Sequence, residues 1–80
     1  MNSTQVAIII DLIPAKIDGK HLRVATHYQQ FEGYVDLDEP INGILVLYTH
    51  DDLRCAFIDV SEIVAIEGDA KDKNSNEKEE

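Results

Sequence analysis

A small, mainly β domain is the fold class this sequence predicts: a curled antiparallel sheet or partly open barrel of about five strands. Three observations lead there. From Lys20 the chain alternates, with Leu22, Val24, Thr26 and Tyr28 on one face and His21, Arg23, Ala25 and His27 on the other, which is the period of a half-buried strand. The apolar runs "VAIIIDLI" and "ILVLY" are short, rich in β-branched or aromatic residues and bounded by turn formers. Turn signals recur at short spacing, as a fold built from hairpins requires.

Taken in order, Val6 to Ile13 is too short for a typical helix and is stopped by Pro14, so it is read as a buried strand. "PAKIDGK" supplies a turn around Asp18-Gly19. After Gln29-Gln30 the apolar parity shifts to Phe31, Val35 and Leu37, and one extra residue there, a β-bulge helped by Gly33, would bend one long strand so that the sheet curls. "EPING" turns the chain into Ile44 to Tyr48, apolar on both faces, and "THDD" turns it again into "RCAFIDV". "SEIVAIE" reads as a tight turn into a last short strand ending at Gly68, although Ser61 could instead cap a helix. No other helix is expected.

Eighty residues make one small domain with a thin core. A single β-rich acidic domain is expected over residues 1–68. The end from Asp69 has no large apolar residue, a composition that does not offset its ordering entropy, so residues 69–80 are expected to be a disordered charged tail. The lone Cys55 excludes an internal disulfide and is expected to pack as a small hydrophobe. A cytoplasmic home follows as the default. The first apolar run has no basic residue before it and is broken by Asp11, unlike a signal peptide or a membrane span. Two strands apolar on both sides call for a second copy, and a homodimer burying the outer face is expected.

Charge carries the functional expectation. Sixteen acids against seven bases give −9, a field that repels nucleic acids and anionic membranes. Before Asp69 there are eleven acids and four bases, so −7 belongs to the folded part. Between Arg23 and Arg54 lie Glu32, Asp36, Asp38, Glu39, Asp51 and Asp52 with no Lys or Arg among them. Surface acids are ordinarily interspersed with bases that blunt their field. Asp36 and Asp38, two apart on a strand, should face the same way about 6.6 Å from each other. Carboxylates at regular intervals on a rigid sheet can stand in for duplex phosphates, which recur at about 3.4 Å along each strand. The expected partner-binding surface therefore comprises Glu32, Asp36, Asp38, Glu39, Asp51 and Asp52, together with Asp59 and Glu62, and a dimer would double the array.

Other chemistries are less well served. His21 and His27 share a face of one expected strand but stand roughly 20 Å apart, too far to share a metal. His50 beside Asp51 and Asp52 lacks a nucleophile at a recognisable spacing. "DLDEPING" begins like a calcium loop, but Pro40 takes a ligand position and Leu47 stands where a bidentate Glu is required. No catalytic residue, metal site or cofactor is expected.

With its acidic body, charged tail and the segments "VATHYQQFEGYVDLDEPINGILVLY" and "CAFIDVSEIVAIE", the chain resembles the small acidic host-takeover proteins of lytic Bacillus phages, above all those that inhibit the bacterial nucleoid protein HU. The resemblance implies a non-catalytic early phage protein in the host cytoplasm that occupies the basic DNA-binding surface of HU and keeps DNA off it. It transfers no residue role. Two alternatives stand beside it: a small Sm-like or SH3-like barrel serving as an oligomeric protein-binding scaffold, and a mimic directed at another DNA-binding enzyme. An enzyme ranks last.

Overall fold

The computed structural model describes residues 1–17, 19–49 and 53–68. Asp18, His50, Asp51, Asp52 and the tail from Asp69 lie outside them, and so do the expectations placed on those positions. The chain forms one helix, α1 (Ser3–Leu12), and five strands, β1 (Lys20–Thr26), β2 (Gln30–Val35), β3 (Ile44–Tyr48), β4 (Cys55–Asp59) and β5 (Ile63–Gly68). The strands make a single antiparallel sheet in the order β4-β3-β2-β1-β5. The expected fold class and strand number hold, but the strands are not all the expected ones.

The expected strand Val6 to Ile13 is instead helical as far as Leu12, with Ile13 as the extended cap residue. Asn2 caps it: its side chain accepts from the Gln5 amide at 2.8 Å, while the Asn2 amide donates to Gln5 Oε1 at 2.9 Å. This reciprocal pair satisfies two of the amides that a helix start leaves open. Val6 and Ile10, four apart, are fully buried and join Ile13 in the core, so the apolar positions obey the helical period and not the strand period. β-branched residues cost a helix a few tenths of a kcal/mol each, whereas burying a Val or Ile side chain contributes about 1.5–3 kcal/mol. Packing decides the outcome. At the far end, Lys20 Nζ donates to Ile10 O at 3.0 Å, placing a cation on the helix carbonyls.

The second correction concerns the long bent strand. β1 and β2 are separate, joined by a tight turn in which Thr26 Oγ1 donates to Gln29 O at 3.0 Å and accepts from the Tyr28 and Gln29 amides at 3.2 Å. The parity shift at Gln29-Gln30 therefore marks a hairpin, not a bulge. Leu22 and Val24 point inward, as the alternation requires. The Ile41–Ile44 turn closes with two backbone bonds, and Asn42 (φ 51°) and Gly43 (φ 79°) take the positive φ that two-residue hairpins require.

The sheet rolls because of its connections. β4 and β5 are its two edges, and four strand spacings would put the edges of a flat sheet about 19 Å apart. Only Val60–Glu62, one 3-10 turn, joins them, and the four Cα steps from Asp59 to Ile63 reach at most about 14 Å. The edges must converge at that end. The sheet curls into an open barrel, with no β4–β5 ladder among the described strands. Gly33 permits the curl: a Cβ there would stand 2.5 Å from Tyr48 O, so only a glycine lets β3 lie this close to β2. Leu45, Leu47, Ile58, Val60 and Ile63 fill the concave side beneath α1. The terminal ammonium of Met1 donates to Val60 O and Ile63 O at 3.2 and 3.0 Å, joining the helix start to the connector.

One further expectation is corrected. Cys55 is exposed on edge strand β4 because it shares the outward face of that strand with Phe57. The expected tight turn into a last strand ending at Gly68 is present, as a single 3-10 turn capped by Asp59, and the alternative of a helix capped by Ser61 is not taken.

Candidate functional site

β2 ends at Val35, so Asp36, Leu37, Asp38 and Glu39 belong to the β2–β3 loop rather than to a strand, and all four are exposed. The strict two-residue spacing expected of Asp36 and Asp38 is absent. The loop instead folds beside β3 and α1. Leu37 and Ile41 share a cavity of about 100 Å³ with Ile44, Leu45, Val46 and Tyr48, with Asp36 and Glu39 on its walls. A larger groove of about 610 Å³ adjoins it, running between the loop and the helix and lined by Ala7, Ile8, Asp11, Leu37, Asp38, Glu39 and Ile41.

Four carboxylates thus line these two adjoining depressions: Asp11 from the helix and Asp38 from the loop line the groove, Asp36 lines the cavity, and Glu39 lines both. Among the described residues, Asp11, Asp36 and Glu39 pair with no cation, while Asp38 Oδ1 lies 3.8 Å from Lys20 Nζ. Lys20 is largely covered and also engages the helix carbonyl, so it offsets part of one carboxylate. Asp11 belongs to this group only because the segment is helical.

The remaining acids separate from the groove or join it only loosely. Asp59 lies opposite Ile44 in the β3–β4 ladder, at the same end of the sheet as the loop. Its Oδ1 accepts from the Ser61 amide at 2.9 Å and from Ser61 Oγ at 2.8 Å, and these bonds, the backbone one foremost, hold its carboxyl below the ordinary aspartate value. Asp59 stays ionised but has a local duty as a cap. Glu62 is half-buried in the connector.

Glu32 belongs elsewhere. Its Oε2 is 2.9 Å from His21 Nε2, and it lies opposite Arg23, which itself bonds Glu67 across the β1–β5 pair at 3.0 Å. Glu32 thus has its side-chain partner on β1, away from the groove. The absence of Lys and Arg between residues 23 and 54 carries no hint of this, because the partner is a histidine on the neighbouring strand. Asp51 and Asp52 lie outside the described residues, and the six described members of the expected array of eight fall into three places: Asp36, Asp38 and Glu39 at the groove and its cavity, Asp59 and Glu62 at the connector, and Glu32 beside His21.

His21 is half-buried rather than exposed, packed at 5.0 Å against the Tyr34 ring, and His27 sits in the β1–β2 turn. Among the described residues no three His, Cys, Asp or Glu side chains are arranged to hold a metal ion. No helix among them is long and apolar enough to cross a membrane. Comparison of the chain with protein families, curated proteins and solved structures finds no match.

Proposed function

We propose that the protein is an acidic DNA mimic that binds the DNA-contacting surface of a basic nucleoid protein, HU first among the candidates, and competes with DNA for it. The observation that supports this most strongly is the gathering of Asp11, Asp36, Asp38 and Glu39 along one groove and the cavity that adjoins it, three of them without a cation partner among the described residues. Fixed carboxylates without neighbouring cations keep their field, which speeds encounter with a positively charged partner. The reading has no place for catalysis, and its setting is the cytoplasm of the host cell. The likeness to phage proteins that disable HU supports the choice of first partner.

Binding to HU at several salt concentrations, with and without competing duplex, tests this reading. The affinity is expected to fall steeply with salt, and duplex to displace the protein. Changing Asp36 and Asp38 together to Lys is expected to lower affinity by at least about tenfold while the thermal midpoint changes little, since exposed carboxylates contribute little stability. A complex indifferent to salt, or one that holds DNA at the same time, rules the mimic out.

A second reading, the oligomeric protein-binding scaffold on a small barrel, is favoured by a different observation. Both sheet edges are open, and each shows an apolar side chain to solvent: Phe57, 71% exposed, on β4, and Val64, 51% exposed, on β5. Open apolar edges are templates for pairing with another chain.

A further inference from the structure

The acidic groove is not only acidic, and its floor restricts what can occupy it. Leu37 and Ile41 stand 52% and 54% exposed and, with Ala7 and Ile8, form an apolar strip between the carboxylates. The strip leads into the smaller cavity, with which it shares Leu37, Glu39 and Ile41. At about 100 Å³ that cavity is smaller than the ~150 Å³ apolar voids that accept benzene, so it matches one aliphatic side chain better than an aromatic ring. Phosphate mimicry by charge alone makes no use of such a floor.

We propose that the groove between α1 and the β2–β3 loop receives a basic segment of a partner protein that inserts one aliphatic side chain into the cavity, its flanking Lys or Arg residues facing Asp11, Asp36, Asp38 and Glu39. The proposal rests on the acidic-surface reading above and adds to it the chemistry of the partner. The protein's own tail does not fit this role: from Asp69 it carries five acids against three bases and nothing apolar larger than Ala70. Charge complementarity selects a cation-rich occupant, and the cavity selects one with a branched side chain among its cations.

The test uses the full chain, isotopically labelled for amide NMR, and two synthetic peptides of equal length and charge. One places Leu among Lys at helical spacing, and the other has Ser for each Leu. The Leu/Lys peptide is expected to bind about tenfold tighter or more, as burial of one aliphatic side chain implies, and to shift the amides of Ala7, Ile8, Asp11, Leu37, Asp38, Glu39 and Ile41. The double variant Leu37→Ser, Ile41→Ser should erase that preference, so that the two peptides bind alike. Phe57→Ser, on the exposed side of β4, should leave the preference intact.

Equal affinity for the two peptides overturns the groove proposal and leaves the acidic-surface reading standing. Failure of both to bind overturns the two together. A preference that survives the double variant, or that disappears with Phe57→Ser, places the apolar contact elsewhere and overturns the proposal. Groove amides that shift on dilution without peptide make a second copy the occupant, with the same consequence.

Discussion

Single residues set the local geometry. Gly33 sits where β3 crosses β2, and its missing side chain is the space that Tyr48 O occupies. Gly33→Ala has backbone, not a flexible side chain, to push against, so it should destabilise the fold by about 1–3 kcal/mol, read as a lower chemical-denaturation midpoint. An unchanged midpoint would mean that β2 and β3 separate easily, and the account of the curl would fail. Asp59 shows how a residue's role depends on what lies two positions away. In the sequence it is one more acid in the −9, while in the fold two bonds from Ser61 make it the cap of the connector. Glu32 likewise reads as one more acid of the base-free window until β1 brings His21 to within 2.9 Å of it.

Elements show where the periodic pattern misleads. "VAIIIDLI" has a strand's composition, and with one period of apolar residues its length does not distinguish helix from strand. The deciding signal stands just before it: Asn2 followed three residues later by Gln5 is a capping box, legible in "NSTQ". The consequence is measurable on the two sides of α1. Ile10→Ala should cost about 2–4 kcal/mol, because Ile10 is fully buried under the sheet, whereas Ile8→Ala, at the groove, should change stability by less than about 1 kcal/mol. Equal losses from the two would contradict the orientation of the helix. β1 was more fully legible, since Leu22 and Val24 alternate as an inward face must, and its end was missed because Thr26 makes a turn from side-chain bonds that composition does not announce.

At the scale of the whole molecule, the expected homodimer keeps a physical motive, although a different one. The first of its two double-faced strands is a helix, and the outer face of β3 shares its cavity with Leu37 and Ile41 of the chain's own loop. The motive now lies in the open edges, where Phe57 and Val64 remain exposed. Edge-to-edge pairing of β4 with β4 would close a two-fold dimer, while β4 on β5 of the next copy would run head to tail and close only as a ring. Sedimentation should find a species heavier than the 9.0 kDa chain, and Phe57→Lys should return it to monomer, since a charged edge opposes pairing. A wild-type chain that stays monomeric at high concentration would rule out the edge contact. It would leave the groove untouched, because Phe57 lines neither the groove nor the cavity.

The mainly β character, the inward face of β1, the turn before β3 and the negative net charge are all legible in the order of the residues. Each of these follows from neighbours along the chain, through alternation, backbone freedom at Asn42 and Gly43, and summed charge. Only the tertiary structure decides that Asp11 joins Asp38 and Glu39 along an apolar groove, with Asp36 in the cavity beside it, and that Glu32 meets His21 away from them. Those outcomes depend on partners far apart in sequence. Whether a side chain is buried, or a charge paired, is set by what the folded chain brings against it.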